Sequence, residues 1–326
     1  MTVLSAEESP MRIFLAPMAG AADSAMRRIC RRYGADGCTT EMISSVAVHY
    51  KDKKTFTLSR ISVEEGPCAL QIFGHDPGIM AEAAKALYES AAVKPCAIDI
   101  NMGCPVKKVV SGGDGSALMR DVPLAAAIVD AVVRVSPVPV TVKMRTGWDR
   151  EHRNCVELAR AVECAGASAI TVHGRTRADM YAPGTVDLYS IAEVKAAVSV
   201  PVTGNVYVCD ADSAREMISR TGVDSLAVGR GALGDPFVFG RIKAALDGSD
   251  FTEPTASERL ACAAEHLRMM IAAKGERTAV AEARKHMAWY TRGMYGSAVF
   301  RSKLNSAVTA AEMTDILLQI EKDVTI

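Results

Sequence analysis

The chain has 326 residues, of which 49% are hydrophobic and 23% are charged, a balance typical of a folded globular protein and not of a disordered one. Its 38 basic and 38 acidic residues cancel, so the overall charge neither requires nor excludes a polyanionic partner, and no apolar run is long enough to span a membrane. Nine cysteines form no CxxC pair, which argues against a disulfide scaffold or a metal site and favours reduced thiols in a cytoplasmic protein.

Short apolar runs rich in Val, Ile and Thr alternate with Ala-rich segments of helical periodicity. The runs predict strands at 12–18, 37–42, 67–74, 97–103, 140–145, 169–174, 201–205 and 226–231. Between them, helices are predicted at 80–92, 158–166 and 211–220. Eight apolar strands joined by helices predict a (β/α)8 TIM barrel, an α/β fold with a parallel sheet. A doubly wound sheet is the alternative, although it usually has fewer strands over this length.

The pattern changes after Ile242. Gly, Ser, Asp, Thr and Pro at 247–257 predict a linker, and the segments beyond it show only helical periodicity. We therefore expect a barrel domain at 1–246 and a small C-terminal all-α helical domain at 258–326.

Polar groups follow nearly every predicted strand, at the end of such barrels where chemistry takes place. They are Pro17-Met18-Ala19, Glu41, Gln71, Asn101 with Cys104, Lys143 with Arg145, His173, Asn205, and Gly229 with Arg230. So many of them in corresponding positions favour an enzyme.

Lys143 lies in an otherwise apolar run, where a lysine would be desolvated unless it faces an anionic partner. Reduced flavin is such a partner, since negative charge gathers at one edge of its ring. His173 is then expected as a neutral donor to the same cofactor, with Gln71 in a matching amide role. Gly229 and Arg230, together with Asn205, suit a phosphate group.

Cys104 could be a nucleophile, a metal ligand, a redox thiol, a packing residue or an acid. The nearby glycines lack GxGxxG spacing, which argues against dinucleotide binding. A nucleophilic cysteine needs a base or cation to lower its pKa. Lys107 and Lys108 are candidate cations, but no histidine is adjacent. An unperturbed thiol with a pKa of about 8.5 is mostly protonated at neutral pH, so proton donation requires the least special environment.

With these residues in view, the chain resembles the tRNA-dihydrouridine synthases, most closely the bacterial B-type branch. The matching segments include APMAGAAD (16–23), QIFGHDP (71–77), DINMGCPVKKV (99–109), TVHGRTR (171–177), AVGRGALGDPF (227–237) and RKHMAWYTRGMYG (284–296). The resemblance implies an FMN-binding barrel, a helical tRNA-binding domain and NADPH as reductant. It further implies hydride transfer from flavin N5 to uracil C6 and protonation of C5 by the loop cysteine.

Carried over residue by residue, the resemblance makes Cys104 the proton donor. It implies cofactor binding by Pro17, Met18, Ala19, Gln71, Lys143, His173, Asn205, Val206, Tyr207, Gly229 and Arg230. One departure concerns Asn205-Val206-Tyr207, where the family usually has Asn-Gly-Asp, because valine and tyrosine lack the conformational freedom of glycine.

Contacts with tRNA are expected from Asn101, which would face the target base, and from a set of mostly basic residues: Lys107, Lys108, Arg145, Arg284, Lys285, His286 and Arg292. Residues 277–303 concentrate this positive charge, with Trp289, Tyr290 and Tyr295 interleaved as possible stacking groups. We expect a monomer without an obligate protein partner that reduces D-loop uridines. The alternatives are an FMN barrel acting on a free pyrimidine or an enone, and a non-catalytic RNA-binding barrel.

Overall fold

A closed barrel of parallel strands precedes a group of helices in the computed structural model, which describes residues 11–206 and 208–324. The strands are β1 (Arg12–Leu15), β2 (Gly37–Thr39), β3 (Ile43–Ser44), β4 (Cys68–Phe73), β5 (Ala97–Met102), β6 (Val140–Arg145), β7 (Ala169–His173), β8 (Val202–Asn205) and β9 (Ser225–Val228). Because β2 pairs with the beginning of β4 and β3 with its end, the two form one barrel strand, which makes eight in all. The TIM-barrel prediction is confirmed.

The barrel closes because β1 pairs with β2 on one side and with β9 on the other. The register brings polar residues of neighbouring strands side by side: Gln71 with Asp99, Asn101 with Lys143, and His173 with Asn205. Since all these strands run parallel, the polar residues near their carboxyl ends meet at one end of the barrel.

Helices cover the outside of the barrel and turn the chain back to each next strand. They are α1 (Ser24–Arg32), α2 (Ser45–His49), α3 (Lys53–Leu58), α4 (Pro77–Ser90), α5 (Lys107–Val110), α6 (Val122–Val135), α7 (Cys155–Cys164), α8 (Leu188–Ala197), α9 (Ala211–Thr221) and α10 (Val238–Asp247). Aspartates such as Asp76, Asp121 and Asp210 begin several of them, because their carboxylates accept hydrogen bonds from free N–H groups of the first turn.

Most predicted strands are longer than those observed, and the first two differ most. The first ends at Leu15, just before Pro17, which has no N–H to donate to a neighbouring strand. The second is interrupted at 40–42, where Thr40 Oγ1 accepts a hydrogen bond from Gln71 N at 3.0 Å in place of a backbone carbonyl.

Beyond the barrel the chain is helical. The helices are α11 (Ala256–Lys274), α12 (Glu276–Tyr290), α13 (Ser297–Ser306) and α14 (Ala310–Val324). They share a hydrophobic core that includes Leu267, Met287 and Leu304, and α1 of the barrel contributes Ile29 to it. The domain division at 247–257 stays a prediction.

Among the described residues, no helix is both long and apolar enough to cross a membrane. All nine cysteines are free, in agreement with the expected reduced thiols.

Candidate active site

A cavity of about 1130 Å³ opens at the carboxyl ends of the barrel strands. Its wall includes many of the predicted site residues: Pro17, Met18, Ala19, Gln71, Asn101, Cys104, Lys143, Arg145, His173, Asn205, Val206, Gly229, Arg230 and Arg292. The predicted residues outside this wall are Lys107, Lys108, Arg284, Lys285 and His286, and Tyr207 lies outside the described residues. A cavity of this size at this end of a barrel is suited to a cofactor and a substrate.

Lys143 is half-buried and presents its ammonium to this cavity. Its Nζ donates to Asn205 Oδ1 at 2.9 Å. Burial lowers the pKa of Lys143 to about 8, the nearby Arg145 lowers it further, and Asp99 and Cys104 oppose the shift. Because keeping a desolvated cation costs free energy, its place in the wall indicates an anionic or strongly polar ligand.

His173 has a tautomer that its neighbour fixes. Asn205 Nδ2 donates to the Ala227 carbonyl at 2.8 Å, so Asn205 Oδ1 is the atom that faces His173 Nδ1 at 3.0 Å. Nδ1 must therefore carry the hydrogen and Nε2 must be a bare acceptor. Burial, with the cationic Lys143 and Arg145, holds the pKa of His173 well below 6.5, so the ring is neutral.

The unprotonated Nε2 of His173 is a hydrogen-bond acceptor that is available to a ligand. Nε2 is buried and has no partner among the described residues. A flavin offers N–H and hydroxyl donors, so the site fits such a ligand. The expectation that His173 acts as a donor is wrong, because its N–H is already used by Asn205.

Cys104 lies on the loop between β5 and α5, and backbone contacts fix its position. Its N–H donates to Asn101 Oδ1 at 2.9 Å, and its carbonyl accepts from Ser116 Oγ at 2.9 Å. Burial raises the pKa of the Cys104 thiol, although the Val106 backbone and the cations of Arg145 and Lys143 act in the opposite direction. The thiol therefore stays protonated at neutral pH. Lys107 and Lys108, the cations expected from the sequence, are exposed on α5.

The side-chain amides of Gln71 and Asn101 lie in the cavity wall and form a hydrogen bond with each other. Asn101 Nδ2 donates to Gln71 Oε1 at 2.9 Å, and Gln71 Nε2 donates to Asp99 at 2.6 Å. Gln71 Nε2 keeps a second N–H for a ligand, whereas the second N–H of Asn101 Nδ2 points to Met42 Sδ at 3.8 Å.

The glycine-rich turn after β9 permits a close approach of two backbones. A side chain at Gly231 would come within 2.8 Å of the Val208 carbonyl, whereas Gly229 has room for one. Close packing therefore explains the glycine at 231 better than the glycine at 229. Arg230 begins a short 3-10 helix, and its guanidinium lies 5.4 Å from the ring centre of Tyr181.

Val206 has a backbone conformation that valine rarely adopts. Its φ is +116°, and its side chain is buried. A β-branched residue at positive φ is strained, so the loop keeps a turn suited to glycine in spite of the substitution.

Arg145 is buried, and most of its hydrogen bonds are to backbone. Its Nε donates to the Gly103 carbonyl at 2.8 Å, and its Nη1 donates to the carbonyls of Thr176 and Met180 at 2.8 and 2.9 Å. It thus ties the cysteine loop to the loop after β7. Tyr181 of the second loop lies in the cavity wall with its ring 5.4 Å from the Arg145 guanidinium, and sequence reasoning missed it because a tyrosine in a loop carries no motif.

The basic residues of α12 and of the turn that follows it do not share one environment. Arg292 is exposed at the cavity wall, Lys285 extends toward Gly20 of the barrel, and Arg284 Nε donates to the Ala307 carbonyl at 2.9 Å. His286 is 2% exposed and packs 4.7 Å from the His266 ring, which corrects the expectation that it contacts tRNA directly.

The interleaved aromatics divide in the same way. Tyr290 is buried and cannot stack on a base, Tyr295 is exposed, and Trp289 is half-buried at the cavity wall.

One cluster has the composition of a metal site. The potential ligand atoms of Cys38, Glu65 and Cys68 lie within 4.8 Å of one another. Glu65 Oε2, however, accepts from Arg27 Nε at 2.7 Å, and Oε1 accepts from Ser24 Oγ at 2.5 Å. With the carboxylate paired and a guanidinium beside it, the cluster is better explained as a buried ion pair.

Comparison with known proteins adds three findings. The profile of the dihydrouridine synthase (Dus) family matches residues 14–325. The tRNA-dihydrouridine synthase B of Pseudomonas aeruginosa is 43% identical over 297 residues, covering 91% of this chain and 88% of its own, and a probable tRNA-dihydrouridine synthase of Rickettsia conorii is 40% identical over 300 residues, covering 91% and 89%. The structure of histamine dehydrogenase from Rhizobium sp. 4-9 superposes with a TM-score of 0.55 at 12% identity, over 79% of this chain and 49% of that one, which supports the fold.

Proposed function

Because the chain belongs to the dihydrouridine synthase family and reduces uridine in tRNA to dihydrouridine with a flavin, we propose the residues and the co-substrate that carry out this reaction. The flavin is FMN and the reductant is NADPH. The target uridines are specific positions of the D-loop, and Cys104 is the proton donor. The enzyme is a cytoplasmic monomer in which the barrel carries the chemistry and the residues after the 247–257 linker bind tRNA.

Reduction of uracil needs a hydride and a proton at neighbouring carbons. The C5=C6 bond is conjugated to a carbonyl, so hydride addition at C6 leaves an enolate whose C5 must be protonated. FMN supplies the hydride from N5 when it is bound. The protein must hold the base, stabilise the negative charge and deliver the proton.

Cys104 delivers that proton, and the observation that carries this proposal is the place of Cys104 in the cavity wall, where burial raises the pKa of its thiol. A thiol that is protonated at neutral pH is ready to donate and poor as a nucleophile. Its backbone is held on both sides, by Asn101 and by Ser116, so the sulfur has a defined position. Asn101 would face the target base with the N–H that otherwise makes a weak contact with Met42 Sδ at 3.8 Å.

The cofactor residues divide by the group they would bind. Lys143 compensates negative charge on the flavin ring, and His173 Nε2 accepts a hydrogen bond from it. Pro17, Met18, Ala19 and Gln71 would contact the ring, and the ribityl and phosphate groups are assigned to Asn205, Val206, Tyr207, Gly229 and Arg230. Support comes from their joint presence in the cavity wall, Tyr207 excepted.

Binding of tRNA is assigned to exposed cations around the cavity mouth. Arg292 is exposed at the cavity wall, and Lys107 and Lys108 are exposed on α5 beside the cysteine loop. Arg284 and Lys285 extend this positive charge along α12, and Arg145 acts from within the cavity. Such cations bind phosphates irrespective of sequence, so a uridine must also be turned out of the RNA to reach Cys104.

The test separates the two half-reactions of the holoenzyme. NADPH reduces the flavin without the thiol, and unmodified tRNA then reoxidises it with the thiol. In Cys104→Ala, tRNA-dependent reoxidation is expected to fall by about 10²–10⁴-fold, while FMN content and reduction by NADPH stay unchanged. Cys209→Ala is the matched control, because Cys209 also lies in the cavity wall but is exposed and separate from the cysteine loop.

Wild-type reoxidation in Cys104→Ala would exclude the thiol as the donor. Free uridine serves as the second substrate in the same experiment. Turnover of free uridine without turnover of tRNA would favour the small-molecule alternative, and a protein that takes up no FMN would favour a non-catalytic RNA-binding barrel.

A further inference from the structure

Asp99 is a buried acid in the middle of β5, two residues before Asn101, and the sequence analysis gave it no role. It is 5% exposed. Its Oδ1 accepts from Thr141 Oγ1 at 2.6 Å, and its Oδ2 accepts from Gln71 Nε2 at 2.6 Å. Burying a carboxylate costs free energy, so the presence of Asp99 at this buried position needs an explanation.

The bond from Gln71 to Asp99 determines which way the Gln71 amide points. Because a carboxylate oxygen accepts hydrogen bonds, it draws Nε2 toward itself and turns Oε1 toward Asn101. Oε1 then accepts from Asn101 Nδ2 at 2.9 Å.

The orientation passes on through Asn101 to the cysteine loop. With Nδ2 held by Gln71, Asn101 turns Oδ1 toward two backbone N–H groups, of Gly103 at 3.1 Å and of Cys104 at 2.9 Å. If both amides were reversed, Asn101 would place an NH2 group against those N–H donors. Each buried donor left unpaired costs about 1–3 kcal/mol, so the observed orientation is strongly preferred.

We infer that Asp99 is a positioning residue for the proton donor, which fixes the amides of Gln71 and Asn101 and through them the place of the Cys104 thiol. This inference rests on the proposed function, since it assigns Asp99 a part in protonation and not in flavin reduction. A displacement of a reacting group by about 1 Å can cost on the order of a hundredfold in rate, so an orienting group outside direct contact can matter as much as a contact.

The ionisation of Asp99 does not decide this role. Burial raises the pKa of Asp99, while hydrogen bonds from Thr141 and Gln71 and the charge of Lys143 lower it. In either protonation state one carboxyl oxygen can accept from Gln71, so an uncharged acceptor of the same shape should serve equally well.

The experiment compares Asp99→Ala, Asp99→Asn and Thr141→Val in the FMN-loaded enzyme, with reduction by NADPH and reoxidation by unmodified tRNA measured separately. In Asp99→Ala, reoxidation is expected to fall on the order of a hundredfold, while reduction stays within about threefold of wild type. Asp99→Asn should restore reoxidation, because its Oδ1 can accept from Gln71 while Thr141 accepts from its Nδ2. Thr141→Val is the control, since it removes the other hydrogen bond of Asp99 and leaves the bond to Gln71.

Equal loss of both half-reactions in Asp99→Ala would overturn the inference in favour of a general structural role. An Asp99→Asn variant as slow as Asp99→Ala would also overturn it, because the charge and not the amide orientation would then matter. Cys104→Ala is measured in the same series. If its flavin is reoxidised at the wild-type rate, Cys104 is not the proton donor. If Cys104→Ala is slow while Asp99→Ala is not, Cys104 remains the donor and only the role of Asp99 is excluded. If Asp99→Ala does not yield holoenzyme, Gln71→Met with excess FMN removes the next hydrogen bond of the series, nearer to Cys104. Reoxidation of Gln71→Met at the wild-type rate would then contradict the inference.

Discussion

The cavity has a cysteine side, formed by Gln71, Asn101 and Cys104 with Asp99 behind Gln71, and a lysine side, formed by Lys143, His173 and Asn205. On the cysteine side, hydrogen bonds connect one group to the next from Asp99 to the backbone of Cys104. On the lysine side, a cation is desolvated and a buried imidazole nitrogen has no partner among the described residues.

The two sides of the cavity are therefore suited to different groups. A polar network whose groups bond mainly to one another holds protein groups still, as a proton donor requires. A network with an open acceptor and a desolvated charge is less stable alone and gains most when a ligand completes it. The cysteine side therefore positions a thiol, and the lysine side receives the flavin.

Removing the cation from the lysine side should have the largest effect. At pH 7, Lys143→Met is expected to weaken FMN binding on the order of a hundredfold, since a charge-assisted hydrogen bond is lost. The same change should stabilise the apoprotein by about 2–3 kcal/mol, because a desolvated charge disappears. FMN titration by fluorescence and denaturant unfolding of the apoprotein measure the two effects, with Lys54→Met, at an exposed lysine, as control.

The protonation of Lys143 also determines how apoprotein stability and FMN affinity change with pH. The pKa of Lys143 is about 8 in the folded apoprotein and about 10.5 when unfolded, so the unfolded chain binds more protons between those values. Lys143 should therefore make the apoprotein more stable as pH rises from 8 to 10.5, and FMN affinity should fall over the same window. A flat profile for both in the wild type would contradict the account.

Removing the open acceptor should have a smaller effect. His173→Phe is expected to weaken FMN binding about tenfold through the loss of one hydrogen bond, with little loss of apoprotein stability. His266→Phe is the control, because His266 Nε2 is likewise buried without a partner among the described residues but lies in α11. Equal effects of the two changes on FMN affinity would remove the special role of the lysine side.

The smallest effect concerns the strained loop that follows Asn205. Val206→Gly should be more stable than Val206→Ala by about 1 kcal/mol, since both lose the buried side chain but only glycine accepts a positive φ without strain. At Val208, which is buried and has no such φ, the order should reverse. Thermal unfolding of the four variants decides, and a more stable alanine at 206 would argue against the strain.

The sequence was sufficient for the barrel and for the residues that meet in its cavity. Apolar runs predicted the strands, and the shared edge of parallel strands then brought Gln71, Lys143 and His173 together without further information. Lys143 was informative because it is a charged residue inside an apolar run. Asp99 has the same signature in AIDINM and was overlooked, although the same reasoning could have found it.

Other features depended on neighbours that are distant in sequence. The open nitrogen of His173 follows from the Asn205 amide, which the Ala227 carbonyl orients. The burial of His286 follows from packing against His266, and a count of positive charges cannot separate a buried face of a helix from an exposed one. The sequence therefore predicts neither the direction of these hydrogen bonds nor which side chains of a helix are buried.

The most direct test of the account is to map dihydrouridine in tRNA from cells that lack this gene and carry either the wild-type protein or Cys104→Ala. The account predicts that dihydrouridine disappears from specific D-loop positions, that the wild type restores it, and that Cys104→Ala does not. An unchanged dihydrouridine pattern without the gene, or full restoration by Cys104→Ala, would contradict it.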